Sequence, residues 1–290
     1  MDLVVRIPTL PRPGETVAGG VFVRTLGGKG ANQAAAAAKL GARVWLVGLT
    51  GDDDFGREAR GDLEACGVDI STLGRSPEPT GVAAIMVDDS GENVIAVASG
   101  ANHDLSGDLV TERLMEIPAN DAVLLASLEV PDDAIEAAAA VAAERGWTFV
   151  LNPAPARSLA PDLLARCAVL TQNERESRAL GSVEDLLVGG TGAVVVTRGA
   201  NGADLFRAGE QGLHWDAVPI GVVDTTGAGD AFNGALAWSL SEGRGLDDSV
   251  RLAVAAGSLT CRALGARAGL PEREELESAV AQPTDRRRKS

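Results

Sequence analysis

The chain has 290 residues, 45% of them hydrophobic, which is enough sequence for one or two domains with a sizeable core. Its formal net charge of −15 argues against a nucleic-acid-binding surface, because a phosphate backbone attracts lysine and arginine. Three distant cysteines without a CxxC pair, and no signal-like or membrane-spanning apolar run, predict a cytoplasmic protein without structural zinc.

The first hundred residues predict short strands around two helices. A glycine turn leads into a small-residue helix that ends at Gly41, and a second helix ends near Cys66. Residues 80–88 and 92–98 flank an Asp-Ser-Gly turn and predict a β-hairpin, which could form a small separate sheet with residues 16–26. The strands predicted in this part are residues 2–7, one or two strands within 16–26, and residues 43–49.

The rest of the chain alternates helix and strand, which predicts a mainly parallel sheet covered by helices on both faces. Polar residues, namely Glu129, Asn152, Asn173 and Thr197, follow or end several of these strands. Ligands of open α/β sheets bind at the carboxyl ends of the strands, so these residues predict one binding edge. The predicted strands are 122–127, 148–151, 168–170 and 193–197, and the predicted helices are 132–145, 173–180 and three that end near residues 240, 262 and 281.

Residues 224–234 pass from a polar turn through Gly227 and Gly229 into an Ala- and Leu-rich helix. The backbone N–H groups at such a helix start attract an anion, and the glycines let it approach closely. Asp230 follows at once, so a carboxylate can take a hydroxyl proton while the helix start holds a phosphoryl group. The alternative is an ordinary helix start with an acidic residue in its first turn.

Three further segments are candidate binding sites. Residues 27–32 offer open backbone, a lysine ammonium and an amide that could hydrogen-bond several sugar hydroxyls, or they form a tight turn with a solvated lysine. Asn173 and Glu176 share one helix face and could hold a water-coordinated Mg²⁺, although an N-cap with first-turn acids explains them as well. Residues 197–202 could lie along a nucleotide or form a hairpin turn into residues 203–207.

Two familiar nucleotide-binding motifs are absent from the sequence. The glycine-rich stretches contain neither G-x-x-x-x-G-K-[ST] nor G-x-G-x-x-G. A P-loop NTPase and a dinucleotide-dependent enzyme are therefore disfavoured.

Taken together, the motifs resemble the ribokinase-like (PfkB) family of carbohydrate kinases over nearly the whole chain and in the expected order. Residues 224–234 resemble the C-terminal signature of the family, and Asn173-x-x-Glu176 matches its magnesium-associated motif. Residues 27–33, with Gly41 and residues 51–53, resemble its N-terminal signature. The resemblance implies one α/β kinase domain over residues 1–290, a three-layer α/β/α fold with a mainly parallel central sheet, and a small β-sheet lid from about 14–26 and 76–98.

The family resemblance also implies a reaction and a catalytic group. The reaction is ATP-dependent phosphorylation of D-ribose at O5, giving D-ribose 5-phosphate and ADP. Asp230 would be the general base, and the anion hole for the γ-phosphoryl group would be Gly227, Ala228 and Gly229. The sugar would be bound by Asp2, Gly27, Gly28, Lys29, Asn32 and Glu129, together with Asp230.

The same resemblance implies cofactors and an assembly. ATP would bind with Mg²⁺, K⁺ would activate the enzyme as a monovalent cation, and the lid would form a homodimer. ATP and its Mg²⁺ would be bound by Asn173, Glu176, Thr197, Arg198, Gly199, Ala200, Asn201, Gly202 and Gly229. The monovalent cation would be bound, mostly through backbone carbonyls, at Asp224, Thr226, Thr260, Ala263, Gly265 and Gly269, the last of which stands where a serine is common in the family.

Two departures from the family pattern carry their own expectations. The family has an apolar core strand before the position of Asp2, whereas only Met1 precedes it here. We therefore expect the first core strand to be missing, through an upstream start of the gene product or a damaged form, which would leave unpaired backbone and a core gap. Residues 176–193 are short and glycine-rich, so their crossover helix is expected to be clipped.

The leading interpretation is an ATP-dependent kinase of D-ribose. One alternative is a related PfkB kinase of another pentose, a nucleoside or a hexose, although Asp2 and Asn32 favour furanose 2- and 3-hydroxyls. The other is an N-terminally truncated, weakly active or non-catalytic sugar-binding paralogue. The missing strand favours that paralogue, and the intact Asp230 with its anion hole argues against it.

Overall fold

A computed structural model describes residues 1–281 and the backbone of residues 286–288. The strands are β1 Asp2–Ile7, β2 Val21–Thr25, β3 Val44–Trp45, β4 Gly48–Gly51, β5 Val68–Asp69, β6 Leu73–Ser76, β7 Val82–Asp88, β8 Asn93–Ala98, β9 Val123–Ser127, β10 Thr148–Asn152, β11 Val169–Asn173, β12 Val194–Thr197, β13 Ala203–Phe206, β14 Leu213–Trp215 and β15 Arg286–Arg288. The α-helices are α1 Lys29–Lys39, α2 Asp54–Ala65, α3 Gly107–Glu116, α4 Asp132–Arg145, α5 Pro161–Ala165, α6 Glu174–Leu180, α7 Val183–Val188, α8 Ala228–Ser241, α9 Leu246–Thr260 and α10 Arg273–Ala281.

A seven-stranded sheet with the order β15-β14-β13-β12-β11-β10-β9 forms the middle of the fold. The four strands β9 to β12 run parallel to one another, as predicted, and β13 to β15 extend the sheet in antiparallel fashion. The carboxyl ends of the four parallel strands therefore meet at one edge, where open α/β sheets bind their ligands. The β12–β13 pairing is the hairpin that was the alternative interpretation of residues 197–207.

Helices cover both faces of this sheet, which makes three layers. Alternate residues of a strand point to opposite faces. In β10, Phe149 and Leu151 pack into the cluster formed with α3, α4, α5 and α7, whereas Val150 packs into the cluster formed with α8 and α9. The predicted α/β/α layering and the buried, apolar strands are thus confirmed.

A second, four-stranded sheet has the order β2-β1-β7-β8. It contains the predicted hairpin, now β7 and β8, together with β2 from the 16–26 segment. β1 lies in its middle, antiparallel to β2 and parallel to β7, with Asp2 opposite Thr25 and Ala83. This register places Asp2 at one end of the small sheet. The assignment of the sheet as a lid stays a prediction.

Other predicted segments differ in detail from the structure. The single strand predicted at 43–49 is wrong: β3 pairs with β5 and β4 pairs with β6, as two separate parallel pairs. Residues 176–193 form two short helices, α6 and α7, separated at Gly181, which has a φ of +100°. This agrees with the expected clipped crossover. The expected loss of a core strand before Asp2 stays a prediction; the strand β1, which begins at Asp2, belongs to the small sheet. Over the described residues, none of the helices has the length and apolar character required to cross a bilayer.

Candidate active site

Asp230 lies in the first turn of α8 and is only 8% exposed. Asn32 Nδ2 donates to its Oδ2 at 2.9 Å, and Gln33 Nε2 donates to its Oδ1 at 3.1 Å. Burial raises the pKa of Asp230 above the ordinary range, even though the Lys29 charge and these two amides favour the ionised form. The carboxylate is therefore held by two donors and has a raised affinity for a proton.

Small residues at the α1–α8 interface make this arrangement possible. A Cβ at Gly234 would lie 2.6 Å from both the Ala36 Cβ and the Gln33 carbonyl oxygen, so the two helices are in contact at this point. The run of alanines in α1 is buried against α8 and its neighbours. The glycine and the alanines thus bring the amides of Asn32 and Gln33 up to Asp230. Gln33 lies within the predicted N-terminal signature, but its place in that motif predicted no function.

Gly227 begins the helix in a left-handed conformation, with a φ of +77°. A Cβ there would lie 2.6 Å from the Ala266 Cα, so glycine is required both for the turn and for the close approach. A Cβ at Gly229 would have no neighbour within 4 Å, which leaves the helix start open on that side. The Ala228 N–H donates to the Thr225 carbonyl at 3.2 Å, so one of the three predicted anion-hole residues is engaged in the turn.

A cavity of about 210 Å³ lies at this helix start. It brings together one lysine, the carboxyl-end residues of β10, β11 and β12, and the glycines before Asp230. Of the four residues that predicted the binding edge, Asn152, Asn173 and Thr197 line this cavity and Glu129 does not. A larger cavity of about 540 Å³ lies against α9 and α10 and shares none of these residues. The smaller cavity is lined by Lys29, Asn152, Ala154, Thr171, Gln172, Asn173, Glu176, Thr197, Gly227, Gly229, Asp230 and Asn233.

Two further carboxylates lie at the start of α1. Glu129 Oε2 accepts the Lys29 backbone N–H at 2.6 Å. A Cβ at Gly27 would lie 2.3 Å from both carboxylate oxygens of Asp2, so Asp2 rests directly on this glycine. Burial raises the pKa of Asp2 and of Glu129. The predicted sugar-binding residues therefore converge on the Gly27–Lys29 turn, although they lie far apart in the sequence.

Asn173 and Glu176 form a reciprocal cap at the start of α6. Asn173 Oδ1 accepts the Glu176 N–H at 2.9 Å, and Glu176 Oε2 accepts the Asn173 N–H at 2.8 Å. The alternative interpretation of this pair, an N-cap, is thus present in the structure, and both residues also line the cavity. Burial raises the pKa of Glu176. A carboxylate that lines the cavity while holding the cap suits a Mg²⁺ bound through water.

The run from Thr197 to Gly202 divides into two parts. Thr197 lines the cavity, and its hydroxyl lies 3.5 Å from the Gln172 carbonyl oxygen. Arg198 is paired within the protein, with Glu174 Oε1 and Asp204 Oδ2, each at 2.5 Å. Its guanidinium therefore ties α6 to the β12–β13 hairpin. Residues Gly199–Asn201 form a short 3₁₀ turn, and their ATP-binding role stays a prediction.

The predicted monovalent-cation residues lie on two segments that are joined by a hydrogen bond. Asp224 Oδ1 accepts the N–H and hydroxyl of Thr226 at 2.9 and 2.7 Å, and Asp224 Oδ2 accepts the Gly265 N–H at 2.8 Å. Burial of Asp224 acts to raise its pKa, but these donors together outweigh burial and lower it. A Cβ at Gly269 would lie 2.0 Å from the Thr260 carbonyl oxygen. Ala263 belongs to the same connecting segment, which follows α9.

Both predicted cation sites offer oxygen atoms as ligands. Over residues 1–281, no group of three or more His, Cys, Asp or Glu side chains is arranged to hold a metal ion. Mg²⁺ and K⁺ would instead be held by carbonyl, hydroxyl and water oxygens, together with single carboxylates. The residues fit such hard cations, since Mg²⁺ in phosphoryl-transfer sites keeps several waters and few protein ligands.

One residue near the base is absent from the predicted site. Arg267 Nε donates to Asn32 Oδ1 at 2.8 Å, and its Nη1 pairs with the Asp62 carboxylate. These contacts link positions 235 and 205 residues apart. The local pattern around Arg267 carries no signal that could have predicted them.

The comparison of sequences identifies the family. Residues 1–273 match the pfkB family of carbohydrate kinases. The chain is 36% identical over 284 residues to the ribokinase of Bacillus subtilis strain 168, and the match covers 97% of this chain and 96% of that protein.

Solved structures agree with the sequence match. The ribokinase of Thermotoga maritima has a TM-score of 0.86 and 32% identity, with coverage of 97% of this chain and 96% of that one. The Arabidopsis thaliana ribokinase complexed with ribose and ATP has a TM-score of 0.82 and 31% identity, with coverage of 96% and 95%. The predicted ribokinase-like α/β fold is confirmed. The chain belongs to the pfkB family of carbohydrate kinases and is a kinase of that class.

Proposed function

We propose that this enzyme transfers the γ-phosphoryl group of ATP to O5 of D-ribose, giving D-ribose 5-phosphate and ADP. The observation that carries the proposal is the position of Asp230, a buried carboxylate held by two amides at an open helix start inside the cavity. The near full-length similarity to ribokinases supports the choice of sugar.

Asp230 accepts the proton of the 5-hydroxyl, and the O5 atom attacks the γ-phosphorus. The bond between the γ-phosphorus and the β–γ bridging oxygen breaks as the new bond forms. ADP leaves with the electron pair of that bond. The N-terminus of α8, with Gly227, Ala228 and Gly229, lies where negative charge develops and stabilises it. The open space at Gly229 lets the phosphoryl group reach the backbone.

The sugar is held at the start of α1. Asp2 and Asn32 contact the 2- and 3-hydroxyls, while Glu129 and the Gly27–Lys29 turn surround the ring. Glu129 accepts the Lys29 N–H with one lone pair and has others that can accept a hydrogen bond from a sugar hydroxyl. This arrangement leaves the 5-hydroxyl directed toward Asp230.

ATP lies along the carboxyl ends of β11 and β12, with Thr197, the following turn to Gly202, and Gly229 beside it. Asn173 and Glu176 would hold Mg²⁺ through water, and the ion would supply positive charge that offsets the charge of the phosphate groups. K⁺ would be held by the segments that carry Asp224, Thr226, Thr260, Ala263, Gly265 and Gly269. This cation site is next to Gly227, whose position is fixed by contact with Ala266.

A coupled ADP assay with a panel of sugars tests this function. We expect D-ribose to be phosphorylated faster than 2-deoxy-D-ribose, D-fructose and adenosine, and NMR of the product to show phosphorus on O5. Equal rates with ribose and fructose would contradict the choice of sugar. Ribose binding in calorimetry without any ADP release would instead support the non-catalytic sugar-binding alternative.

We also propose that the small sheet is the lid and that two copies of the chain dimerise through it. Register places Val23, Val4, Ile85 and Ile95 in one row across the sheet, and Phe22 with neighbouring apolar residues in a row on the other face. Phe22 and Ile95 are 62% and 54% exposed, which is unusual for side chains of this size on a monomer surface.

Light scattering tests the dimer. The wild type is expected at about twice 29.6 kDa, and a lysine on the face that forms the contact, introduced by Phe22→Lys or by Ile95→Lys, is expected to give monomers. Asn93→Lys, at an exposed polar position of β8, is the control and keeps the dimer. A monomeric wild type, or dimers in both lysine variants, would refute this assembly.

A cytoplasmic location is proposed from the cysteines. Cys66, Cys167 and Cys261 are all free thiols in the structure. Burial raises the pKa of Cys167 to about 12, so this thiol stays protonated at neutral pH. Fractionation of the native cells would test the location, and recovery outside the cytosolic fraction would contradict it.

A further inference from the structure

Arg267 lies in the segment between α9 and α10, and its side chain is 13% exposed. Its Nε donates to Oδ1 of Asn32 at 2.8 Å, and its Nη1 pairs with the carboxylate of Asp62 in α2. Asn32 in turn donates from Nδ2 to Oδ2 of Asp230 at 2.9 Å. A continuous chain of polar contacts therefore runs from α2 to the carboxylate in α8.

The chemistry of Arg267 determines which way the Asn32 amide points. A guanidinium can only donate hydrogen bonds, so the atom of Asn32 that faces it must be the carbonyl oxygen. The NH₂ group then faces Asp230, and an ionised carboxylate can only accept. Without the guanidinium, the amide loses one of the two contacts that select this orientation, and only Asp230 then disfavours a reversed amide.

We propose that Arg267 is a positioning residue for the catalytic base. It fixes the Asn32 amide, and the fixed amide holds Asp230 in the orientation that accepts the proton of the sugar hydroxyl. This inference rests on the proposed role of Asp230 in phosphoryl transfer. Gln33 holds the other oxygen of Asp230 at 3.1 Å, so loss of the Arg267 contact removes one of two constraints and not both.

The electrostatics act in the same direction as the geometry. Burial raises the pKa of Asp230, and Lys29 and Arg267 are among the groups that oppose this rise. A tertiary ion pair between Arg267 and Asp62 could stabilise the fold without any such role, so the test must separate orientation of the amide from charge and from stability.

Three substitutions at Arg267 separate these effects. Glutamine places its amide nitrogen the same number of bonds from Cα as the arginine Nε, so Arg267→Gln keeps the donor to Asn32 and loses the charge. Arg267→Met has a methyl carbon at that position and no charge. Arg267→Lys also has a carbon there but keeps an ammonium that can pair with Asp62. For each variant, kcat, the KM values for ribose and ATP, and the thermal midpoint are measured.

We expect Arg267→Met and Arg267→Lys to lower kcat about tenfold, the effect of one lost hydrogen bond to a charged network. Arg267→Gln should stay within about threefold of the wild type, and the KM for ATP should be unchanged in all three. In an Asn32→Ala background, Arg267→Met should add little. The matched control is Arg207→Met, which removes a similarly part-buried ion pair, Arg207 with Asp247, and should keep the wild-type kcat.

Several results would overturn the proposal. One is a kcat of Arg267→Gln that falls as far as the kcat of Arg267→Met. Another is an Arg267→Lys variant that keeps its activity while Arg267→Gln loses it, since that order would indicate an effect of charge alone. A lower thermal midpoint with unchanged kcat would indicate a structural role. If Arg267→Met does not fold, Arg267→Lys carries the test, because it retains the ion pair. A wild type without ribose-dependent ADP release would refute the proposed function, whereas an active wild type with fully active variants would refute only the role of Arg267.

Discussion

The α1–α8 interface and the small sheet both carry residues of the predicted site, but they differ in burial. At the interface, Asp230, Asn32 and Gln33 are buried and bonded to one another. In the small sheet, every residue of β8 is exposed, and Asp2 lies at the end of β1. Asp230 is thus fixed by core packing, whereas Asp2 belongs to a sheet whose outer strand β8 is exposed.

This difference separates the chemical step from sugar binding. Changes at the interface should act on kcat, because they move the base relative to the phosphoryl group. Changes where Asp2 meets the α1 turn should act on the KM for ribose, because they move a group that we propose contacts the sugar and not the phosphoryl group. The kcat and the KM for ribose of single variants test that separation.

The largest effect is expected from Asp230→Asn. The substitution removes both the proton acceptor and its charge, so kcat should fall by about 10³-fold or more, within the range that general-base groups contribute. The KM for ribose should change little, since the amide retains most of the size and polarity of the carboxyl group. Steady-state kinetics with the coupled ADP assay measure both constants.

The control for this substitution is Asp248→Asn, which makes the same chemical change in the first turn of α9, where Asp248 pairs with Arg251 at 3.2 Å. It should keep the wild-type kcat. Turnover of Asp230→Asn within tenfold of the wild type would show that another group accepts the proton.

Gly27→Ala is expected to have the next largest effect. It should raise the KM for ribose and not lower kcat. The added Cβ would lie 2.3 Å from both oxygens of Asp2, so the carboxylate must move by an ångström or more. A displacement of that size in a positioning group can cost about 10- to 100-fold, here in the KM for ribose. At saturating ribose, kcat should stay within a few-fold of the wild type.

Gly61→Ala is the matched control, because it makes the same change within α2, where a Cβ has no neighbour within 4 Å. It should leave both constants unchanged and stabilise the fold by about 0.5–1 kcal/mol, since alanine suits a helix interior better than glycine. If Gly27→Ala lowered kcat instead of raising the KM, Asp2 and the base would not be separable.

The motifs that lie within one strand–turn–helix unit could be predicted from the sequence. The glycines before Asp230 require a tight turn and a helix start, and both are present. The convergence of Asn152, Asn173 and Thr197 followed from the rule that parallel strands present their carboxyl ends at one edge, and all three line the cavity. Local pattern and sheet topology therefore predicted the binding edge.

Contacts that depend on tertiary packing could not be predicted in the same way. Arg267 reaches Asn32 and Asp62 only because the segment after α9 folds back over α1 and α2. The split of residues 43–49 into β3 and β4 also has a tertiary cause, because each piece pairs with a different short strand. Hydrophobic periodicity in a seven-residue window carries no information on such partners.

Gly234→Ala should have a smaller effect on kcat, and it should lower the stability of the fold as well. The new Cβ would lie 2.6 Å from the Ala36 Cβ and the Gln33 carbonyl oxygen, so α1 must move away from α8. Overpacking of this kind costs about 1–3 kcal/mol. Because Asn32 and Gln33 move with α1, kcat should fall several-fold while the KM for ATP stays the same. Thermal unfolding and steady-state kinetics measure the two effects, and a destabilised variant with wild-type kcat would show that the base does not depend on this packing.

The smallest effect is a shift in the acid limb of the pH profile. Burial raises the pKa of Asp230, and a base must be ionised, so kcat should decline as the pH falls through a value above the ordinary aspartate pKa of about 3.9. Asp2 and Glu129 also have raised pKa values, so the limb of kcat/KM reports the coupled group of carboxylates in the free enzyme. Gly27→Ala should therefore move the limb of kcat/KM and leave the limb of kcat in place. A kcat that declined only at or below the ordinary aspartate pKa would contradict the raised pKa of Asp230. If Gly27→Ala moved the acid limb of kcat, the carboxyl groups of Asp2 and Asp230 would be titrating together.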